Sequence, residues 1–319
     1  MREQNVAVIG GTGFIGGHLL ARLAGDGVGT RVAARHYESA KHLTTLPYLD
    51  LELGNIHDDA ALRRLVDGCS VVINLVGVLH GGHGEPYGQV FRQLHVELPR
   101  RIVQACLDAG VPRYLHMSAL GAGHRASMYQ RSKADGELAA RSEPRVTATV
   151  FRPSIVFGPG DHFLTVFANL QRRLPVLPLA CAQARLQPVY VEDVAAAFSL
   201  ALREPRTRGA DIELGGPQVY TLAELVHLAG RYAGHERHVL ELPDWAARLE
   251  ARLFELLPGE PMISRDKLAT MKTDNVVDPQ TQALTAEALG IKLTSLEAAA
   301  PHYLAAPRGL DDYREHAGR

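Results

Sequence analysis

Cysteine is scarce in this chain: Cys69, Cys106 and Cys181 are its three thiols in 319 residues, scattered through apolar segments without metal or redox spacing. An odd number works against a disulfide framework, and isolated buried thiols fit a reducing compartment. A surplus of either charge is missing as well. With 34 Lys and Arg against 35 Asp and Glu the formal net charge is −1, so no basic field favours nucleic acid and no acidic tail marks a solvated arm. No apolar run approaches the roughly 18 residues of a membrane span, and no leader of charged, apolar and small residues precedes the first strand-like segment. The chain reads as soluble and cytoplasmic, with peripheral attachment at the inner face of a membrane left open. What is present, 46% hydrophobic residues, is enough for a large core and compatible with an enzyme.

The N-terminal stretch NVAVIGGTGFIGGHLLARLA organises the rest. Val6 to Ile9 form the uninterrupted apolar run of a strand buried on both faces of a parallel sheet. Gly10, Gly13 and Gly16 follow at three-residue spacing, where a chain turns tightly, meets a pyrophosphate and packs a helix on a strand. Thr12 lies within this turn. Phe14, Ile15, Leu19, Leu20 and Leu23 then supply a helical stripe, so an anion would sit at the helix N-terminus. This predicts a nucleotide-binding turn in an α/β fold.

A second strand is expected over Thr30 to Ala34, ending at Arg35, His36 and, further on, Lys41. A basic group at this point pairs with the 2′-phosphate of NADP(H), where an acid would select NAD(H); NADP(H) is therefore favoured. A third strand over Tyr48 to Leu53 leads to Asn55 and Ile56, placed to meet the adenine. A fourth, Val71 to Leu75, runs into Val76 and Gly77, beside which the cofactor would pass. The loop Leu79 to Tyr87 holds His80 and His83 without a partner set, so no metal site is expected and a mobile rim loop is favoured. A helix over about Val90 to Ala109 carries His95, which either approaches the cofactor or is hydrogen-bonded within the packing.

The fifth strand, Arg113 to Met117, ends at Ser118, and Tyr129 and Lys133 follow in MYQRSKADGE. Tyr and Lys four residues apart share a helix face. A nearby ammonium and an oxidised cofactor ring would lower the phenol from its usual value of about 10 and make it an acid or base. Ser118 would then hydrogen-bond the reacting carbonyl or hydroxyl. A sixth strand, Arg145 to Phe151, leads to RPSIVFGPGDHF, where the chain leaves the sheet. The apolar stretch Leu164 to Leu179 then forms either a lobe core or a surface for a hydrophobic ligand. Thr221 and Glu224 form a capping box. The segment Asp244 to Leu257, with the only tryptophan, Trp245, reads as an amphipathic helix that packs on its own domain or docks on a partner or membrane surface.

GGTGFIG, HMSALGA, YQRSK and FRPSIVFGPGD together make the chain resemble the extended and atypical branches of the short-chain dehydrogenase/reductase superfamily. HVELP at 95–99, YQRSKADGE, PVYVEDVAAA and LGIKLTSLEAAAPHYL make it similar, more narrowly, to the family of the short-chain-dehydrogenase-like accessory subunit of respiratory complex I and its bacterial relatives. The resemblance implies a Rossmann-type doubly wound parallel sheet, formed by residues 1–157 and 187–214, with a smaller, mainly helical substrate or partner lobe from 158–186 and 215–319. It implies Ser118, Tyr129 and Lys133 at the catalytic positions. Cofactor contacts would come from Gly10, Thr12, Gly13, Phe14, Ile15, Gly16, Arg35, His36, Asn55, Ile56, Leu75, Val76, Gly77, His95, Met117, Tyr129 and Lys133. Pro153, Ser154 and Ile155 would line the nicotinamide. Two departures stand out: Ser118 and Tyr129 are only eleven positions apart, and Asn55 stands where an aspartate is common. The function implied is an NAD(P)H-dependent oxidoreductase on a carbonyl or secondary alcohol. The alternatives are an NADPH-bound structural or assembly protein tied to a respiratory complex or quinone metabolism, and a nucleotide-sugar epimerase or dehydratase.

Overall fold

The computed structural model describes residues 5–255 and 264–305. Strands β1 (Asn5–Ile9), β2 (Gly29–Ala34), β3 (Leu49–Leu53), β4 (Val71–Asn74), β5 (Arg113–Met117) and β6 (Thr147–Pro153) form one parallel sheet in the order 3-2-1-4-5-6. Asp211–Leu214 and Leu284–Thr285 extend it beyond β6. Every residue of β4 and β5 is buried, as expected of central strands covered on both faces. The order turns back at the β1–β4 junction, where the carboxyl ends open a crevice for a ligand.

On one face, helices Phe14–Gly25 and Val191–Ala201 close a core around Val8, Leu19, Val32, Leu115 and Phe151. Phe151 stacks on Phe198 at 3.8 Å between ring centroids. On the other face, Leu62, Leu65, Ile102, Val103 and Cys106 pack on Ala7, Ile9, Val72 and Tyr114. The lobe has its own core of Phe157, Leu164, Leu177, Leu222, Leu225 and Leu296. Leu284–Thr285 lies at the sheet edge, and Ala286 and Leu289 pack into the first core. This short stretch therefore goes with the sheet, although the sequence division puts it in the lobe.

Between Val90 and Ala109 the single expected helix is interrupted. A π turn, Arg92–Glu97, joins Gln89–Phe91 to Leu98–Ala109. The capping box at Thr221 forms as its pattern predicts: Glu224 N–H donates to the threonine hydroxyl and Thr221 N–H to the glutamate carboxylate. A second box, Ser127 with Gln130, opens the helix Met128–Ala140 and carries the same kind of sequence signature. The helix from Asp244 ends at Glu255 among the described residues; 256 and 257 lie outside them.

Gly16 permits the tight junction of β1 and its helix. A Cβ there would stand 2.5 Å from the carbonyl oxygens of both Gly10 and Gly11, contacts that only backbone movement relieves. Gly16→Ala should therefore lower stability by about 1–3 kcal/mol, seen as a fall in thermal midpoint of several degrees, whereas Gly17→Ala, whose added carbon meets nothing within 4 Å, should leave the midpoint unchanged or raise it.

Candidate functional site

The glycine turn fits a dinucleotide. Gly13 precedes the helix Phe14–Gly25 with no side-chain cap and no acid in the first turn, so its leading N–H groups remain free for a phosphate. Arg35 and His36 are exposed at the end of β2. Asn55 is exposed at the end of β3, where its side chain accepts from His57 N–H at 3.0 Å, and Ile56 packs beside the sheet core. Leu75, Val76 and Gly77 continue from β4, with Leu75 N–H on the Ile9 carbonyl and Val76 N–H on the Asn74 side chain.

Tyr129 and Lys133 meet these strand ends from the helix Met128–Ala140. The Lys133 ammonium donates to the Met117 carbonyl at 3.3 Å, and a Cβ on Gly77 would lie 3.1 Å from its Nζ. It stands 6.0 Å from the Tyr129 ring centroid. Tyr129 is part-buried, and among the described residues its hydroxyl has no hydrogen-bond partner. Burial pulls the Lys133 ammonium down to about 8, against a partial upward pull from Glu137. Burial pushes the Tyr129 phenol well above its ordinary value. The expected lowering of the phenol is therefore not a property of the protein alone. Burial sets the direction at the phenol, and a lowering would have to come from charge brought by a bound cofactor.

Two of the expected site residues are hydrogen-bonded within the protein. The Ser118 hydroxyl donates to the buried Glu137 carboxylate at 2.6 Å. Charge-assisted bonds of this kind are stronger than neutral ones and hold the side chain in place. Glu137 also accepts from Arg152 at 2.9 and 2.6 Å. His95 is buried with both ring nitrogens in use: Nε2 accepts from Val78 N–H at 3.1 Å, and Nδ1 bonds the Ser132 hydroxyl at 2.8 Å. Ser132 donates in turn to the Tyr129 carbonyl. His95 is thus hydrogen-bonded within the packing, and its Nε2 also lies 3.9 Å from where a Cβ on Gly77 would stand. Burial and the nearby Lys133 hold its pKa well below the usual imidazole value, which keeps Nε2 an acceptor. Ser154 is buried, and its hydroxyl bonds Asn275; Pro153 ends β6 and Ile155 receives Val189 N–H.

Two further residues shape the site from far along the chain. Asp266 accepts Met128 N–H at 2.6 Å and Tyr129 N–H at 3.1 Å, capping the helix at the tyrosine itself. Asn275 ties Ser154 to the Leu120 carbonyl. Nothing local in the sequence marks either. Beside Tyr129, a cavity of about 220 Å³ is lined by Leu79, His80, Phe91, Met128, Glu255 and Asp266, among others.

Lys133 gives a pH test of this environment. The unfolded chain keeps the lysine proton up to about 10.4, and the folded chain releases it near 8. Between these values the unfolded state binds more protons, so this residue's penalty on folding is full at low pH and fades as pH rises. Cys106, raised by burial to about 12, works in the opposite direction at alkaline pH. Comparison with Lys133→Met isolates the lysine: from pH 7 to 10 the wild-type protein should gain denaturant stability relative to the variant, and a flat difference would contradict the burial argument.

Residues 6–215 match the model of the NAD dependent epimerase/dehydratase family. NADH dehydrogenase [ubiquinone] 1 alpha subcomplex subunit 9, mitochondrial, of Mus musculus is 32% identical over 301 residues, covering 91% of this chain and 77% of the relative. Ceramide reductase of Caulobacter vibrioides is 30% identical over 240 residues, covering 75% and 74%. Among solved structures, the dTDP-glucose 4,6-dehydratase DesIV of Streptomyces venezuelae superposes with a TM-score of 0.71 at 20% identity, covering 99% of this chain and 98% of that one. UDP-glucose 4-epimerase of Thermotoga maritima gives 0.70 at 18% identity, covering 98% and 100%. The parallel sheet, the glycine turn and the matched family model agree: the chain belongs to the NAD dependent epimerase/dehydratase family.

Proposed function

We propose that this chain is an oxidoreductase that uses NADP(H) to reduce a carbonyl, or to oxidise the matching secondary alcohol, on a largely apolar molecule. The observation that carries this reading is the pair Tyr129 and Lys133 set against Met117 and Gly77, where a bound nicotinamide would exchange hydride with the substrate carbon. Tyr129 supplies the proton. Burial keeps its phenol protonated, which suits a donor to a carbonyl oxygen as that oxygen gains charge. Lys133 holds the cofactor ribose and balances the tyrosinate left after transfer. Ser118, engaged by Glu137, supports the wall of the site. Leu79, Phe91 and Met128 give part of the neighbouring cavity an apolar wall, beside the polar His80, His83, Arg265 and Asp266, and the similarity to a ceramide reductase supports an apolar substrate.

A nucleotide-sugar reading has less support. Arg172 bonds Asn169 and the Leu304 carbonyl while Arg185 pairs with Asp274, so these cations do not converge on a diphosphate. A second reading, a protein that holds NADPH as a structural part of a respiratory assembly, is favoured by the engaged Ser118 hydroxyl and by the similarity to complex I subunits. It predicts tight nucleotide binding without turnover and co-purifying partners.

Tyr129→Phe should reduce turnover of an apolar ketone by roughly 10²- to 10⁴-fold while nucleotide affinity, measured by calorimetry, stays within a few-fold; full turnover in the variant would refute the assignment. Exposed Arg35 supports the choice of NADP(H). Arg35→Ala should weaken NADPH by about tenfold, the scale of one charged hydrogen bond, and leave NADH nearly unchanged, as read by nucleotide titration.

A further inference from the structure

The helix Asp244–Glu255 exposes large apolar side chains among its described residues. Among the described residues its inward face carries Ala247 and Ala251, which pack with Ala180 and Leu268, and Glu250, whose buried Oε2 has no hydrogen-bond partner among them. Its outward face consists of Trp245, Arg248, Leu249 and Arg252, at the i, i+3, i+4 and i+7 positions of one helical stripe. Trp245 is 71% and Leu249 52% exposed. Among the described side chains of this helix, Ala247 and Ala251 serve the protein's own core while Trp245 and Leu249 face outward, each beside an arginine. The acid of this surface, Asp244, is paired with Lys272 at 3.2 Å and lies 3.9 Å from Arg248.

We propose that this face docks on an anionic lipid surface. An interfacial tryptophan with leucine and arginine on one stripe matches the headgroup boundary, where rings and aliphatic chains enter the acyl region and guanidinium groups meet phosphates. A second copy is a poorer occupant, because a two-fold contact would set Arg248 and Arg252 against their own counterparts. Among the described residues no helix is long and apolar enough to cross a membrane. Among the described residues the helix runs to Glu255, which lines the cavity beside Met128; on the oxidoreductase reading, the docked protein takes its substrate from the bilayer.

Trp245 is the only tryptophan of the chain, so its emission reports this surface without any assay of turnover. The full chain is titrated with vesicles of phosphatidylglycerol and phosphatidylcholine, and with phosphatidylcholine alone. The expected result is a blue shift and co-sedimentation on the anionic vesicles, weakened by salt, with partitioning reduced about tenfold or more in Arg248→Glu/Arg252→Glu. That double variant changes exposed residues and should keep the wild-type thermal midpoint. Absence of shift and sedimentation, equal partitioning on phosphatidylcholine alone, or a blue shift that grows with protein concentration in the absence of vesicles overturns the proposal. Loss of turnover with an intact shift would count against the oxidoreductase reading alone.

Discussion

Glu137 lies almost out of reach of water, and its carboxylate ties together parts of the chain that would otherwise be held only by packing. Its oxygens take the Ser118 hydroxyl from the end of β5 and the fork of Arg152 from β6, and Arg141 approaches from the next helical turn. Arg152 reaches on to Asp211 in the neighbouring strand, where Arg141 also pairs. A buried charge is tolerable only when it is paired and hydrogen-bonded in this way. The helix bearing Tyr129 and Lys133 is therefore fixed to the carboxyl edge of the sheet by several charge-assisted bonds that meet at Glu137.

That anchoring sets the chemistry above it. Because the helix is held close, Lys133 reaches the Met117 carbonyl and little else, and it shares burial with Tyr129. Desolvation acts on the two in opposite senses, since one is charged when protonated and the other when deprotonated. Both are driven toward their neutral forms, and the proton stays on the phenol.

Much of this architecture is local and so can be read along the chain. The apolar run of β1, the glycine spacing and the following stripe specify strand, turn and helix within about twenty residues, and the Thr221–Glu224 box is a four-residue pattern. The Tyr129–Lys133 pair is legible for the same reason, as neighbours on one helical face. Ser118 is not: its position at the end of β5 is readable, but its partner Glu137 is set by the fold. Asp266 and Asn275 act across more than a hundred residues, and each is an ordinary polar side chain in its own neighbourhood. The lowered lysine and raised tyrosine follow from burial, which no spacing encodes.

The π turn at Arg92–Glu97 has a consequence for how one helix serves two surfaces. Before it, Phe91 faces the cavity and stacks on His95 at 5.2 Å; after it, Leu98, Ile102 and Cys106 face the sheet. A wider turn delays the helical phase by about one residue, roughly 100° of rotation, so two stripes that would otherwise diverge are each brought onto their own target. A one-residue deletion within 92–97 would return this rod to even winding and make it choose between lining the cavity and covering the sheet.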